Sequence, residues 1–165
     1  MEQLEQNGEE STKDKYLTFL LGDQFFGVPI ADVAQIIGMQ PITTVPEFPA
    51  YAKGVISLRG SILPVIDLNL RFGRSETQYS ERTCILVIDI RAYHVGFIVD
   101  AVDEVCDIAA QDIQPPPSMG RSSTGSYIQG IGRHKHGVTL LLDTQKVLDE
   151  TTITQLISET EEKDG

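Results

Sequence analysis

Short runs of apolar, β-favouring residues separated by turn residues make up most of the chain. The run at residues 16–21 is broken by Gly22-Asp23-Gln24 and resumes at residues 25–28, which predicts a hairpin. Later runs of the same kind lie at 42–45, 55–57, 62–66, 84–90, 94–99, 127–131 and 138–142. Many short strands with closely spaced turns favour a barrel or a sandwich over a parallel sheet.

One segment after the first hairpin changes period. Its apolar positions follow i, i+3, i+4, i+7 at Ile30, Val33, Ala34 and Ile37. This spacing predicts one or two helical turns that end at Gly38, before the short strand at 42–45, which Pro46 terminates.

The two halves of the chain carry the same pattern. When Gly27 is aligned with Gly96, 69 residues later, apolar residues coincide in the two copies. They are Phe26, Val28, Ile30, Val33 and Ile36 in the first copy, and Val95, Phe97, Val99, Val102 and Val105 in the second. Two further matches are spaced by 76 residues: 54–55 with 130–131, and 65–67 with 141–143. A Pro/Ser/Gly-rich loop at 114–126, either functional or merely tolerated, accounts for the difference. The repeat predicts two packed barrels of about five strands each, with chance similarity between generic β patterns as the alternative.

Composition bounds the size of the protein and the class of its partners. The 165 residues, 18.2 kDa and 41% hydrophobic content suit one ordinary domain, or two small lobes that share a core. The net charge is −11, of which −3 falls in residues 1–15 and −5 in residues 149–165. This acidity argues against nucleic acid or an anionic membrane as the main partner. No apolar run approaches the roughly 20 residues of a membrane span, so we expect no direct membrane insertion.

The domain boundaries that we expect follow these charges. An acidic flexible tail is predicted at 1–14, one domain at 15–149, and an acidic tail or short helix at 150–165. Within the domain the approximate lobes are 15–83 and 84–149, and strands are free to cross between them.

Candidate catalytic and metal-binding groups are sparse. Cys84 and Cys106 lie in apolar runs and are expected to be reduced thiols of a cytoplasmic protein. The pair Cys84 and His94 lacks an orienting group, and the pair His134 and His136 lacks a third ligand. No P-loop, nucleophile elbow or H-E-x-x-H motif is present. The sequence therefore predicts no catalytic residue, no metal and no cofactor.

Three charged residues stand at strand ends and turns. Asp67 and Asp143 occupy equivalent positions of the repeat, and we expect them to accept backbone N–H bonds in the following turn. Arg59 projects from a tight turn between two apolar strands, where a guanidinium could bind a partner's carboxylate or backbone carbonyls. An ion pair within the chain is the alternative for Arg59.

A groove between two lobes is the expected binding surface. If Val33, Ile36 and Ile37 of the first lobe and Val102 and Val105 of the second flank it, the groove would be lined by apolar side chains. Such a surface suits one face of an amphipathic helix. Alternatively, these side chains simply close a core between the lobes.

The motifs around Arg59 resemble those of a known family. The segment Gly54-Val-Ile-Ser-Leu-Arg-Gly60, followed by Ile62-Leu-Pro-Val-Ile-Asp-Leu68, is similar to the signature of the CheW family of chemotaxis coupling proteins. Further similar segments are 26–30, 95–100, 113–115, 127–132 and 140–148, so the resemblance spans roughly 15–149. It implies a pair of five-stranded SH3-like barrels with a groove between them, with short helical turns. It also implies a non-enzymatic adaptor that bridges the cytoplasmic tips of chemoreceptors (methyl-accepting chemotaxis proteins) to the regulatory domain of the histidine kinase CheA.

The resemblance also assigns residues. Val33, Ile36, Arg59, Val102 and Val105 would form the receptor-binding groove. Two glycines, Gly54 and Gly96, would shape the backbone there. Ser57 replaces the usual Asn of the family, and Gln35 stands where Glu is common, which removes any charge pairing from that position.

The expected function is therefore a cytoplasmic adaptor of receptor arrays at the membrane. A coupling protein of a pilus-motility or other chemosensory-like pathway is the first alternative. A small-molecule-binding barrel is the second.

Overall fold

The structure is a computed structural model that describes residues 12–116, 127–135 and 137–164. Residues 1–11 of the tail predicted at 1–14, most of the Pro/Ser/Gly-rich loop (117–126), His136 and Gly165 lie outside the described residues.

Within the described residues the fold is mainly β, with short helical elements. The strands are β1 Lys15–Leu21, β2 Gln24–Pro29, β3 Val33–Gly38, β4 Ala52–Leu58, β5 Ser61–Asp67, β6 Cys84–Ile90, β7 Tyr93–Val99, β8 Ala101–Asp107, β9 Ile113–Gln114, β10 Ile128–His134 and β11 Gly137–Leu142. The α-helices are α1 Leu68–Arg71, α2 Thr144–Val147 and α3 Glu150–Asp164, and 3-10 turns occupy Ile30–Asp32 and Ala110–Asp112. The predicted hairpin of β1 and β2 is confirmed.

The strands form two packed SH3-like barrels, which confirms the predicted fold class. The first barrel has the strand order β8-β1-β2-β11-β10-β9, and the second has the order β3-β6-β7-β5-β4. A two-residue strand, β9, raises the first barrel to six strands. Each barrel contains a hairpin from one half of the chain and three or more strands from the other half. The two halves have therefore exchanged their first hairpins.

Glycine permits this exchange at equivalent points of the two barrels. The exchanged hairpins join their barrels through parallel strand pairs, in which Gly27 lies beside Leu141 and Gly96 lies beside Val65. An added Cβ on Gly96 would lie 2.6 Å from Cγ1 of Val65, and one on Gly27 would lie 3.0 Å from Cδ2 of Leu141. The same residue pairs recur at the predicted spacing, so the internal repeat is confirmed.

The helical prediction after the first hairpin is wrong beyond Asp32. Only Ile30–Asp32 is helical, as a 3-10 turn, and the chain continues as strand β3. The physical reason is a β-bulge at Ala34, because Val33 pairs with Ile88 whereas Gln35 already pairs with Val87. One extra residue in a strand puts positions i and i+3 on the same face, which imitates the spacing of a helix.

Each barrel closes against an extended segment rather than a full strand. In the second barrel Thr43 forms an isolated bridge with Val55, so the predicted strand at 42–45 is reduced to this one bridge. In the first barrel the short strand β9 takes the equivalent place beside β10. The closing strands approach so tightly that an added Cβ on Gly54 would lie 2.1 Å from the carbonyl oxygen of Thr43.

One hydrophobic cluster joins the two barrels and the C-terminal helix. It contains buried residues of both sheets together with Ile153 and Leu156 of α3. Beside it, the guanidinium of Arg71 stacks between the rings of Tyr51 and Tyr127, at 5.1 Å and 4.5 Å from their centroids. Tyr51 precedes β4 of the second barrel and Tyr127 precedes β10 of the first, so Arg71 contacts both barrels and stabilises their packing.

The two strand-end aspartates cap the helical turns that follow them. Oδ1 of Asp67 accepts from the backbone N–H of Leu70 at 3.2 Å, and Oδ1 of Asp143 accepts from that of Gln145 at 3.1 Å. Their predicted role as acceptors in the following turns is confirmed.

Candidate functional site

Two edge strands flank the seam between the barrels. Strand β3 is the edge of the second sheet, and β8 is the edge of the first. We use the name seam for the surface formed by Val33 and Ile36 of β3 and by Val102 and Val105 of β8. These two pairs are equivalent in the repeat, so the seam has approximate twofold symmetry.

Matching bulges aim both pairs of side chains toward the junction. Like β3, strand β8 has a register shift, since Val102 pairs with Phe19 whereas Glu104 pairs with Thr18. As a result Val102 and Val105 lie on the same face of the sheet, on the strand that pairs with β1. The bulge positions were missed by the sequence-based prediction. The signal that could have found them is the i, i+3 apolar spacing recurring in both copies of a chain that otherwise reads as strands.

Each pair contributes one residue to the core and one to the surface. Val33 and Val102 are partly buried against the hydrophobic cluster that the barrels share. Ile36 and Val105 are 47% and 50% exposed, among the few large apolar side chains exposed in the described residues. Both predicted roles, closing a core and lining a binding surface, therefore occur within each pair. Val33 and Val102 help close the core, while Ile36 and Val105 face solvent.

The two strands approach each other at one end of the seam. Gly38, the last residue of β3, pairs with Cys84, and the Cys84 thiol hydrogen-bonds the backbone of Val102 at the start of β8. Burial raises the pKa of this thiol, and the hydrogen bond to Val102 only partly offsets the effect. We infer that Cys84 is a packing residue, because a reactive cysteine needs a lowered pKa.

The acidic side chains of β8 are tied down within the chain. Asp107 forms an ion pair with Lys15 at 3.0 Å, and Asp103 accepts from the Thr18 hydroxyl at 2.9 Å. Glu104 binds Nε2 of His134 at 2.7 Å and Nζ of Lys135 at 2.9 Å. These two hydrogen bonds hold the pKa of Glu104 below its usual value.

Arg59 lies at one end of the second barrel, in the β4–β5 turn. Both central residues of this turn have positive φ, 53° at Arg59 and 83° at Gly60, as in a type I′ hairpin. Arg59 is exposed, and among the described residues it has no ion-pair partner, which removes the intramolecular alternative there. The turn lies at the end of the sheet where Val33 pairs with Ile88.

The strained backbone of Arg59 is not by itself a functional signal. Arg91 and Ala92, in the β6–β7 turn, have φ values of 50° and 71°. This second hairpin has the same turn geometry, carries an arginine and lies at the same end of the sheet, so neither strain nor charge distinguishes Arg59. Arg91 differs in its surroundings, because its backbone N–H donates to Gln145 and its charge acts on Asp149 of the C-terminal segment.

The two glycines assigned with the groove lie inside the second barrel. Gly54 has a φ of 145° and meets Thr43, and Gly96 packs against Val65 and Ile85. Both are needed for close strand packing, so any influence on the seam would pass through the barrel. Of the two departures from the family pattern, Ser57 is exposed and Gln35 is half-buried.

The described residues hold little that suggests catalysis. His94 binds Asp89 rather than Cys84, with Nε2 and Oδ1 2.6 Å apart, and Cys84 lies opposite Val99 at the other end of the same hairpin. Within the described part of the chain no three His, Cys, Asp or Glu side chains are grouped as metal ligands. No helix there is both long and apolar enough to cross a bilayer.

Comparison with known proteins shows consistent similarity over most of the chain. The CheW-like domain family matches residues 15–152. The chain is 32% identical over 139 residues to chemotaxis protein CheW of Klebsiella aerogenes, covering 84% of each protein. It is 37% identical over 115 residues to chemotaxis protein CheW of Rhizobium meliloti, covering 70% of this chain and 74% of that protein.

A solved structure gives the same result. The crystal structure of the scaffolding protein TtCheW from Thermoanaerobacter tengcongensis superposes with a TM-score of 0.78 at 32% identity, covering 84% of this chain and 94% of that one. The chain therefore has the two-barrel fold of that protein. It belongs to the CheW-like domain family.

Proposed function

We propose that the chain is a non-catalytic adaptor that couples the cytoplasmic tips of chemoreceptors to a CheA-type histidine kinase. The seam would bind the receptor, and the kinase regulatory domain would dock on another surface of the barrels. On this proposal the protein works in the cytoplasm, at membrane receptor arrays. The similarity to proteins named chemotaxis protein CheW, and to a scaffolding protein, supports this class of function.

One observation carries the assignment of the seam. Ile36 and Val105 are about half exposed at equivalent positions on the edge strands of the two sheets. Two exposed apolar residues with partly buried valines behind them suit the apolar face of a helix or of a helical hairpin. Burial of both side chains would stabilise the complex by up to about 2 kcal/mol.

Arg59 would add polar recognition at the end of the second barrel. A guanidinium that has no partner among the described residues can bind a carboxylate or helix C-terminal carbonyls of the receptor without first breaking a bond. An arginine of this kind is a common source of binding specificity.

The test is pull-down of a receptor cytoplasmic-tip fragment by the full chain and by Arg59→Glu. We expect at least a tenfold loss of affinity for the variant, with an unchanged thermal midpoint. The matched control is Arg91→Glu, which makes the same charge change in a second turn with positive φ, and which should bind normally. Equal losses in both variants, or normal binding by Arg59→Glu, would remove Arg59 from the proposed interface.

A second candidate comes from one relative. The chain is 29% identical over 119 residues to protein FrzA of Myxococcus xanthus, whose name does not mention chemotaxis. Coupling in another receptor–kinase pathway is therefore the alternative adaptor function. Co-purification of the tagged chain from its own cells separates the two, because the kinase and receptors recovered with it identify the pathway. Recovery of neither, together with a large thermal shift on addition of one metabolite, would favour a small-molecule-binding barrel.

A further inference from the structure

The second barrel has a face that the chain itself covers in part with a helix, while Ser57 and Tyr93 (43%) stay exposed. Ile153 and Leu156 of α3 are buried in the shared cluster, and Ile157 lines a shallow cavity with Ile62 of β5 and Tyr93 of β7. Ile62 pairs across the sheet with Ser57 of β4. The apolar residues of α3 are thus spaced i, i+3, i+4 along one side of the helix.

No helix among the described residues covers the equivalent face of the first barrel. The residue equivalent to Ile62 is Val138 of β11, 76 positions later, and Val138 is 51% exposed. It pairs with Arg133 of β10, which stands where the second barrel has Ser57. Gln24 of β2, equivalent to Tyr93, lies at the other side of Val138, because the next pair along the strands joins Phe25 to Thr139.

The reason for this difference lies in the connections that follow the repeats. After α2 the chain turns at once into α3, which lies back on the second barrel. After α1 the chain runs through residues 72–83 without a helix or strand and enters β6. The first barrel therefore receives no counterpart of α3 from the described chain.

Charge distinguishes the two faces and indicates what would fit the open one. Arg133 is exposed, and no ion pair or hydrogen bond of its side chain occurs within the described residues. A cation directly opposite an exposed valine favours a partner that brings a carboxylate and an apolar side chain to this one place, even though the net charge of the chain is −11. On the other barrel Ile157 of α3 lies beside Ile62, the residue equivalent to Val138, so this position accepts an apolar side chain of a helix.

We propose that the face formed by Gln24, Arg133 and Val138 docks an acidic amphipathic helix of a partner protein. The helix would place apolar residues spaced i, i+3, i+4 over Val138 and a carboxylate on Arg133. This binding mode resembles the packing of α3 against the second barrel. The face is separate from the seam, so the proposal does not depend on the proposed receptor interaction.

The experiment uses the ¹⁵N-labelled full chain and a peptide of residues 149–163 with blocked ends as the probe. This peptide carries the spacing of Ile153, Leu156 and Ile157 together with five acids and one lysine. Titration to about 1 mM is needed, because an isolated helix of this length is marginal and its affinity is correspondingly weak. We expect saturable shift changes centred on the amides of Gln24, Arg133 and Val138.

Two variants and one control test the site. Val138→Asp and Arg133→Glu should each weaken binding at least fivefold, whereas Ile36→Asp, an equally exposed apolar position on the seam, should leave it unchanged. Unchanged thermal midpoints would show that the variants fold.

Three outcomes would overturn the proposal. They are the absence of shifts up to 1 mM, shifts centred on Ile62 and Tyr93, which indicate exchange with α3, and a dimer in sedimentation that Val138→Asp dissociates. The last outcome would mean that the occupant is a second copy of the chain.

Discussion

The β4–β5 and β10–β11 turns occupy equivalent positions in the repeat, and each carries a cationic side chain. The two side chains differ in their contacts. Lys135, which stands 76 residues after Arg59, binds Glu104 at 2.9 Å and connects its turn to strand β8. Arg59 stands in the other turn without an ion-pair partner in the part of the chain that the structure describes. In one copy of the duplicated hairpin the cation stabilises the fold, and in the other copy the cation is available to another molecule.

This difference shows which features duplication has preserved. The closing glycines, the parallel pairs and the aspartate caps recur in both barrels, because a closed barrel needs them. Exposed side chains such as Arg59, Ser57 and Val138 differ from their counterparts, since the barrel closes whichever residue occupies them. Exposed positions that depart from the repeat are therefore candidates for binding in one barrel alone, whereas the exposed pair Ile36 and Val105, which the repeat preserves, belongs to a surface shared by both barrels.

The largest expected effect is a loss of stability when a side chain is added where each barrel closes, and the loss should differ between the two barrels. Gly54→Ala should destabilise the protein by more than about 3 kcal/mol, because its Cβ would meet the carbonyl oxygen of Thr43 at a positive φ. Gly130→Ala should cost less, about 1–3 kcal/mol, since its Cβ first meets the Cγ2 methyl of Ile113 and approaches the nearest backbone atom, the carbonyl oxygen of Gln114, only to 3.3 Å. Urea unfolding measures both; a greater loss for Gly130→Ala would contradict the packing described here.

The hairpin crossings provide the next test. Gly96→Ala should cost about 1–3 kcal/mol, because the added methyl would overlap β-branched side chains of Val65 and Ile85. Gly27→Ala should cost under about 1 kcal/mol, since the end of the Leu141 side chain can move. The free energies of unfolding of the two variants check this order, and similar values would mean that the two crossings are packed alike.

The symmetry of the seam predicts equal effects on binding. Ile36→Asp and Val105→Asp should each weaken binding of a receptor-tip fragment about tenfold, roughly 1.4 kcal/mol, because each would put a charge where a helix buries apolar surface. Val138→Asp is the matched control, being equally exposed outside the seam. Isothermal titration measures the affinity of each variant for the fragment. A clearly larger loss for one variant than for the other would contradict the twofold description of the seam.

The smallest expected effect is on stability and concerns the β10–β11 turn, where Lys135 binds Glu104. Because the folded-state pKa of Glu104 is lowered, its contribution to stability is present above the ordinary carboxylate pKa and is lost as pH falls through the folded value. Glu104→Gln should therefore be slightly less stable than the parent at pH 7, and the difference should shrink as the pH falls below the ordinary carboxylate pKa. Thermal midpoints across this range give the comparison, and a difference that does not change with pH would assign the effect to packing.

Several elements could be predicted from the pattern alone because their causes are local. Apolar runs and turn residues located most strands, and the spacing of glycines and aspartates revealed the repeat. The helix predicted around Val33 failed because a bulge at Ala34 produces the same apolar spacing as a helical turn. Periodicity cannot separate these two structures when the segment is short.

The site was predicted in part for the same reason. The apolar identities of Val33, Ile36, Val102 and Val105 are visible in the sequence, but their exposure is not. Whether a side chain closes a core or faces solvent depends on what packs over it, and here the deeper pair is covered while Ile36 and Val105 are open.

The sequence by itself determined the strand content, the duplication, the turn that carries Arg59 and the absence of common catalytic motifs. These follow from local preference and from spacing along the chain. Tertiary structure alone decided the exchange of hairpins between barrels, the pairing of Glu104 with Lys135, and the covering of one barrel face by α3 while its counterpart stays open. Each of these depends on contacts between residues far apart in the chain, where several pairings satisfy the same pattern and only the packing of the whole selects one.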